Sequence, residues 1–297
     1  MSGAVSSTAG LEPASRARLP HGAILFLRNK PAAAGAIIII SLVIGCAFGP
    51  SLVPYGPLFI DLHHRFEAPF GGAHLLGTDQ LGRDLLVRLL AAGRISLMVG
   101  FLAMIISTVV GAVVGLLAGF YRGWMSVILM RLVDAVLCFP SIFLLLTLAA
   151  LITQNIATIT LIIASTTWME VARVVYSQTL SLRERDFALA AEALGASDPM
   201  IMLRELLPNI AAPIIVAATL TVARAILMES YMSYLGYGIQ PPTPSWGNML
   251  TNAQEYLENA PWLALLPGGA ITLAVTSFNF IGDGLRDALD PLRDRSA

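Results

Sequence analysis

The chain is almost without lysine: of its 18 cationic residues, Lys30 alone is not arginine. A phosphate-cradling G-x-x-x-x-G-K-[ST] loop needs its lysine, and no such loop surrounds Lys30, so nucleotide hydrolysis of that kind is excluded from this chain. Histidine is equally scarce. His21, His63, His64 and His74 all precede the second apolar run, which leaves no base for a serine or cysteine nucleophile among the later segments. No H-E-x-x-H occurs, and no ligand cluster at metal spacing follows His63-His64. The two cysteines, Cys46 and Cys138, lie far apart in apolar runs and read as buried free thiols, not as a disulfide or metal pair. Catalytic residues, metal ligands and a resident cofactor are therefore not expected. Charged residues make up only 12% of the chain and the formal net charge is -1, so there is no basic footprint for nucleic acid.

What fills the chain instead is apolar: 56% of residues are hydrophobic and the mean hydropathy is +0.75, the composition of a protein solvated by lipid. Crossing the hydrocarbon core takes about 20 apolar residues in a helix. Six segments meet or approach that: Ala32 to Leu52, Ile95 to Gly119, Met125 to Ile152, Ile156 to Val175, Ile210 to Leu227 and Trp262 to Ile281. The expected class is all-α, a polytopic membrane protein with about six transmembrane helices. The third segment contains Arg131, Asp134 and Pro140 and is expected to kink or to lie partly outside the membrane. The first is too long for a signal-peptide core and reads as a retained span.

Lys and Arg concentrate in the two tails and in the insert between the fourth and fifth segments, which places both termini in the cytoplasm. Arg65, Arg83, Arg88 and Arg94 in the first outer loop dissent, balanced there by Asp61, Glu67, Asp79 and Asp84. Trp124, Trp168, Trp246 and Trp262 are expected near span ends, at headgroup depth. The resulting division is a disordered cytoplasmic tail over 1–31 and a first span with its outer loop over 32–94. A membrane core over 95–282 carries the insert 176–209, and a cytoplasmic tail covers 283–297.

The insert spells helix, turn, helix. Asp186 to Leu194 is rich in Ala, Leu and Glu, and Gly195 supplies a left-handed stop. Asp198 is positioned to cap a second helix with Pro199 first, running until Pro208 breaks it. A hairpin this short cannot bury a core alone. The residues leave open whether it docks on another protein or lies on the membrane surface.

Ala190-Ala191, Gly195, and Leu206-Leu207-Pro208-Asn209 resemble the E-A-A-x-x-x-G loop of bacterial ABC-importer permeases, with Leu189 at the motif's Glu position and Glu205 where peptide permeases often carry His. Residues 74 to 100 (HLLGTDQLGRDLLVRLLAAGRISLMVG), 235 to 250 (LGYGIQPPTPSWGNML) and 282 to 293 (GDGLRDALDPLR) resemble the C-type permease subunit of dipeptide and oligopeptide importers. The resemblance implies a type I ABC importer permease fold in the bacterial cell membrane. It further implies a second homologous permease subunit, two ATP-binding subunits that hold ATP and Mg, and an extracytoplasmic substrate-binding protein. It assigns ATPase docking to Ala190, Ala191, Gly195, Leu206 and Pro208, and binding-protein contact to Pro241, Pro242 and Trp246. Nickel and haem-type permeases of the same superfamily are the alternative cargo reading.

Arg131 with Asp134, and Glu170 with Arg173, are three apart and read as local pairs on one helix face. Arg224 and Glu229 are five apart and read either as lining a polar translocation path or as pairing between helices. Gly111, Gly115 and Gly119 put small residues on one face, where another span is expected to pack. An ion-coupled secondary carrier, the rival class, needs intramembrane acids. It has only Asp134 and Glu229 and no use for the insert.

Overall fold

The computed structural model describes residues 21–289; the expected tail residues 1–20 and 290–297, with Arg293 and Arg295, lie outside them. Within the described residues the chain is helical, with one isolated bridge between Thr78 and Asp84. Five stretches are long and apolar enough to cross a membrane: α2 (Lys30–Phe48, continued by a short 3-10 turn), α3 (Leu85–Phe120), α6 (Ile156–Arg183), the run Asp198–Tyr234, and α11 (Trp262–Leu289). The third expected span is a broken pair, α4 (Trp124–Leu137) and α5 (Ser141–Leu151), bent by 85°. Pro140 accounts for the break, since its ring clashes with the preceding turn and it lacks an N–H.

Several boundaries move. A helix α1 (His21–Arg28) occupies part of the expected disordered tail. The division at 94/95 falls inside α3, because Asp84 starts that helix ten residues earlier than the apolar run does: its side chain accepts from Val87 N at 2.8 Å. The division at 282/283 falls inside α11, and the insert begins within α6. Cys138 is exposed, whereas Cys46 is buried as expected. Trp168 sits mid-helix against Val133 and Met169 instead of at a span end.

Gly111, Gly115 and Gly119 form the seam of the bundle. A Cβ on them would stand 2.6 Å from Trp168 O, 2.5 Å from Ala172 O and 2.6 Å from Thr179 Cβ, so α3 lies backbone to backbone on α6. Close approach of this kind is what joins helices where no hydrophobic effect acts between them. Gly100 opens α3 to Ile226 on α9 (Leu207–Tyr234), and Gly35 lets α2 meet Ser277 of α11.

The motif 77–84 explains the dissenting charges. Gly77 (φ 77) and Gly82 (φ 71) turn the chain back on itself, where a side chain would strike Glu67 O and Asp61 O. Asp79 then accepts from Arg83 Nε at 2.6 Å and faces Arg88 at 3.6 Å, while Asp84 pairs with His74 at 2.8 Å. Arg94 donates to Ala47 O. Arg65, Arg83 and Arg88 are held in this compact cap at the amino-terminal end of α3, and Arg94 is held on the end of α2.

Candidate coupling surface and pathway face

The hairpin hangs from the other end of α3. α7 (Asp186–Ala193) ends in a Schellman turn: Gly195, at φ 80, donates to Glu192 O, and Ala196 N donates to Ala191 O, both at 3.0 Å. Ser197, with no side-chain capping bond, stands at the N-cap position of the next helix in place of Asp198, which occupies the first helical position of α8 (Asp198–Met200) and accepts from the Tyr121 hydroxyl. That contact, with burial first, raises the Tyr121 pKa.

Pro208 does not break the helix. Ile201–Leu206 adopts a π-register turn in which Leu207 N donates to Met202 O, and the run Asp198–Tyr234 continues as one span. The wider turn makes room for the proline ring against the carbonyl four residues back.

The hairpin's inner side is held by the chain itself. Ala188, Ile201, Met202 and Leu206 bury against Leu116, Phe120, Val171 and Val175. The Arg183 guanidinium donates to Phe120 O and lies 4.8 Å over the Phe120 ring, and Arg122 pairs with Glu184. Leu206 is therefore removed from the expected docking set, being 0% exposed. Ala190, Gly195 and Pro208 remain exposed and Ala191 half-buried. Sequence reasoning missed the apolar residues beside them: Phe187, Leu189, Met200, Leu203 at 59% and Leu194 at 89% exposed. Their spacing against the buried Ala188 was the available signal.

At the opposite end, Pro241 and Pro242 are exposed, but Trp246, the first residue of the short α10 (Trp246–Met249), is 1% exposed and lost as a surface contact. Its ring packs on Gly93 and its Nε1 donates to Leu89 O at 3.0 Å. The loop is fastened by Glu229, which is fully buried. Its two carboxyl oxygens accept from Ser96 and Ser233, each at 2.7 Å; Ser96 in turn accepts from Trp246 N and Ser233 from Ile239 N.

Arg224 and Glu229 are thus apart, and both engage other helices. Arg224 pairs with Glu170 of α6, so Glu170 does not pair with Arg173; Arg173 instead donates to Asp134 of α4 at 2.6 Å, so Asp134 does not pair with Arg131. Neighbouring helices bring opposite charges closer than positions three apart on one helix do. Among the described residues, no three His, Cys, Asp or Glu side chains form a metal-sized cluster.

The family model described as binding-protein-dependent transport system inner membrane component matches residues 111–295, and one described as the N-terminal TM domain of oligopeptide transport permease C matches residues 24–69. The chain belongs to that transport family. The oligopeptide transport system permease protein OppC of Escherichia coli (strain K12) is 41% identical over 271 residues, covering 91% of this chain and 89% of the relative. The dipeptide transport system permease protein DppC of Alkalihalophilus pseudofirmus is 40% identical over 264 residues, covering 89% and 86%. As an inner membrane component, the chain is a multi-pass transport subunit.

Proposed function

We propose that this chain is one of two membrane subunits of an ATP-driven importer of dipeptides or oligopeptides. It sits in a bacterial cell membrane with both termini cytoplasmic. The observation that carries the coupling reading is the set Phe187, Leu189, Leu194, Met200 and Leu203, large apolar side chains left exposed on the hairpin. An apolar patch of this kind marks a protein contact. Its occupants are the ATP-binding subunits, which hold ATP and Mg; this chain contributes Ala190, Ala191, Gly195 and Pro208 around the apolar set. A second, homologous permease subunit completes the pathway. A substrate-binding protein meets the 235–250 loop at Pro241 and Pro242. The peptide cargo is supported by the names of the relatives and by the matched amino-terminal segment.

The test is the double substitution Leu194→Asp, Leu203→Asp. Both side chains are outside the chain's own core, so the subunit should still reach the membrane. Peptide uptake by the assembled complex should fall by about tenfold or more as docking weakens. Unchanged uptake by this variant would sink the docking assignment.

A further inference from the structure

Five charged side chains stand on the surface of α4, α6 and α9, away from the hairpin. They form one ribbon: Arg131 and Asp134 on α4, Arg173 and Glu170 on α6, Arg224 on α9. Two cross-helix pairs run through it, Asp134–Arg173 and Glu170–Arg224, with side chains 45% to 55% exposed. Glu170 lies midway along Ile156–Arg183, so the second pair is near the middle of a span. On α6 the same stripe carries Ser177, which is exposed and two helical turns on from Glu170.

Hydrocarbon cannot cover this surface. A charged side chain at the bilayer centre costs about 2.5–3.5 kcal/mol even on the most lenient scale. A packed protein interface fits it poorly as well, since Arg131 has no acidic partner within ion-pair distance among the described residues and would be buried unpaired. Beside Arg131 lies a groove of about 290 Å³ lined by Ser126, Val127, Met130, Arg131, Asp134 and Tyr176. In it Ser126 Oγ donates to the Tyr176 hydroxyl oxygen at 3.4 Å, which leaves the tyrosine's own proton free to donate.

We propose that this ribbon is the wall of a water-filled conduit and that the Arg131 groove is a subsite for the carboxylate of the passing substrate. The proposal rests on the peptide-importer reading. Three guanidinium groups face two carboxylates, so the wall has one positive charge uncompensated. Arg131 presents it as a planar fork that matches a carboxylate with two hydrogen bonds, and Tyr176 adds a third donor. The paired charges keep the rest of the wall polar without holding the substrate.

The experiment uses the assembled complex in proteoliposomes, in a Cys138→Ser background. Ser177→Cys should react with a charged, water-soluble thiol reagent, supplied on both sides, about tenfold faster than Val113→Cys on the apolar surface of α3. Equal, slow labelling overturns the conduit. Arg131→Gln should slow uptake of a dipeptide with a free carboxylate about tenfold relative to the same dipeptide as its carboxamide, and Arg131→Lys should keep most of the rate. An equal loss for both peptides, as expected if Arg131 pairs with a lipid phosphate or a partner's acid, overturns the subsite, and so does no loss. A wild-type complex that imports neither peptide sinks the cargo reading and the subsite with it, while the labelling contrast still decides the conduit.

Discussion

Glu229 joins three elements through one carboxyl group. It takes hydroxyl donors from α3 and α9, and those same serines accept the backbone N–H groups of Trp246 and Ile239. Replacing it by leucine leaves two buried hydroxyls without their acceptor, at a cost of about 2–4 kcal/mol. Glu229→Gln keeps an acceptor oxygen and should cost less than half as much. Thermal unfolding of the purified subunit in detergent measures the order, and equal losses for both variants would show that the hydrogen bonds carry no weight. The position of Glu229 was legible in the sequence as an intramembrane acid, but its partners were not: Ser96 lies 133 residues away and has no sequence signal tying it to Glu229. The prolines Pro241, Pro242 and Pro244 keep helix out of the chain until Trp246, where a short one starts. They say nothing about which way the indole points, and it points inward, onto the glycine at 93.

Among the elements, the α3–α6 seam depends on the absence of side chains more than on their presence. Gly115→Ala would put a methyl 2.5 Å from Ala172 O, a backbone atom on a rigid helix. Overpacking of this kind costs about 1–3 kcal/mol, whereas Gly269→Ala on α11, where nothing lies within 4 Å, should be neutral or mildly stabilising. The two unfolding midpoints should therefore move in opposite directions or differ clearly; matching shifts would refute the seam. Helix existence, the four-residue glycine stripe, the break at Pro140 and the Gly195 turn were all readable, because each is set by chemistry within one or two turns. Pro208 was misread for the same reason. Local rules end a helix there, but the π-register turn before it carries the chain on into α9. Charge partners escaped for the opposite reason. Glu170 and Asp134 chose arginines on other helices over the cation three residues away.

At the scale of the whole molecule, the hairpin and the Pro241-Pro242 loop stand at opposite ends of the helices that join them. Leu194→Cys should react with a membrane-impermeant reagent only from the cytoplasmic face of oriented vesicles, and Pro241→Cys only from the other face. Labelling of both from one side would reverse or break the topology. Arg65, Arg83 and Arg88 of the arginine-rich first loop, which argued against this orientation when only charges were counted, are drawn into the cap that starts α3. The uninterrupted run Asp198–Tyr234 has a mechanical consequence. Its 37 residues make a lever about 55 Å long. Its short arm is gripped by the hairpin, and its far arm carries the carboxyl that fastens the Trp246 loop. Pivoting such a rod by about 10° near its middle displaces each tip by about 5 Å in opposite directions. A push on the hairpin would therefore reach the far side of the bilayer as motion, with no chain of intermediate contacts needed to relay it.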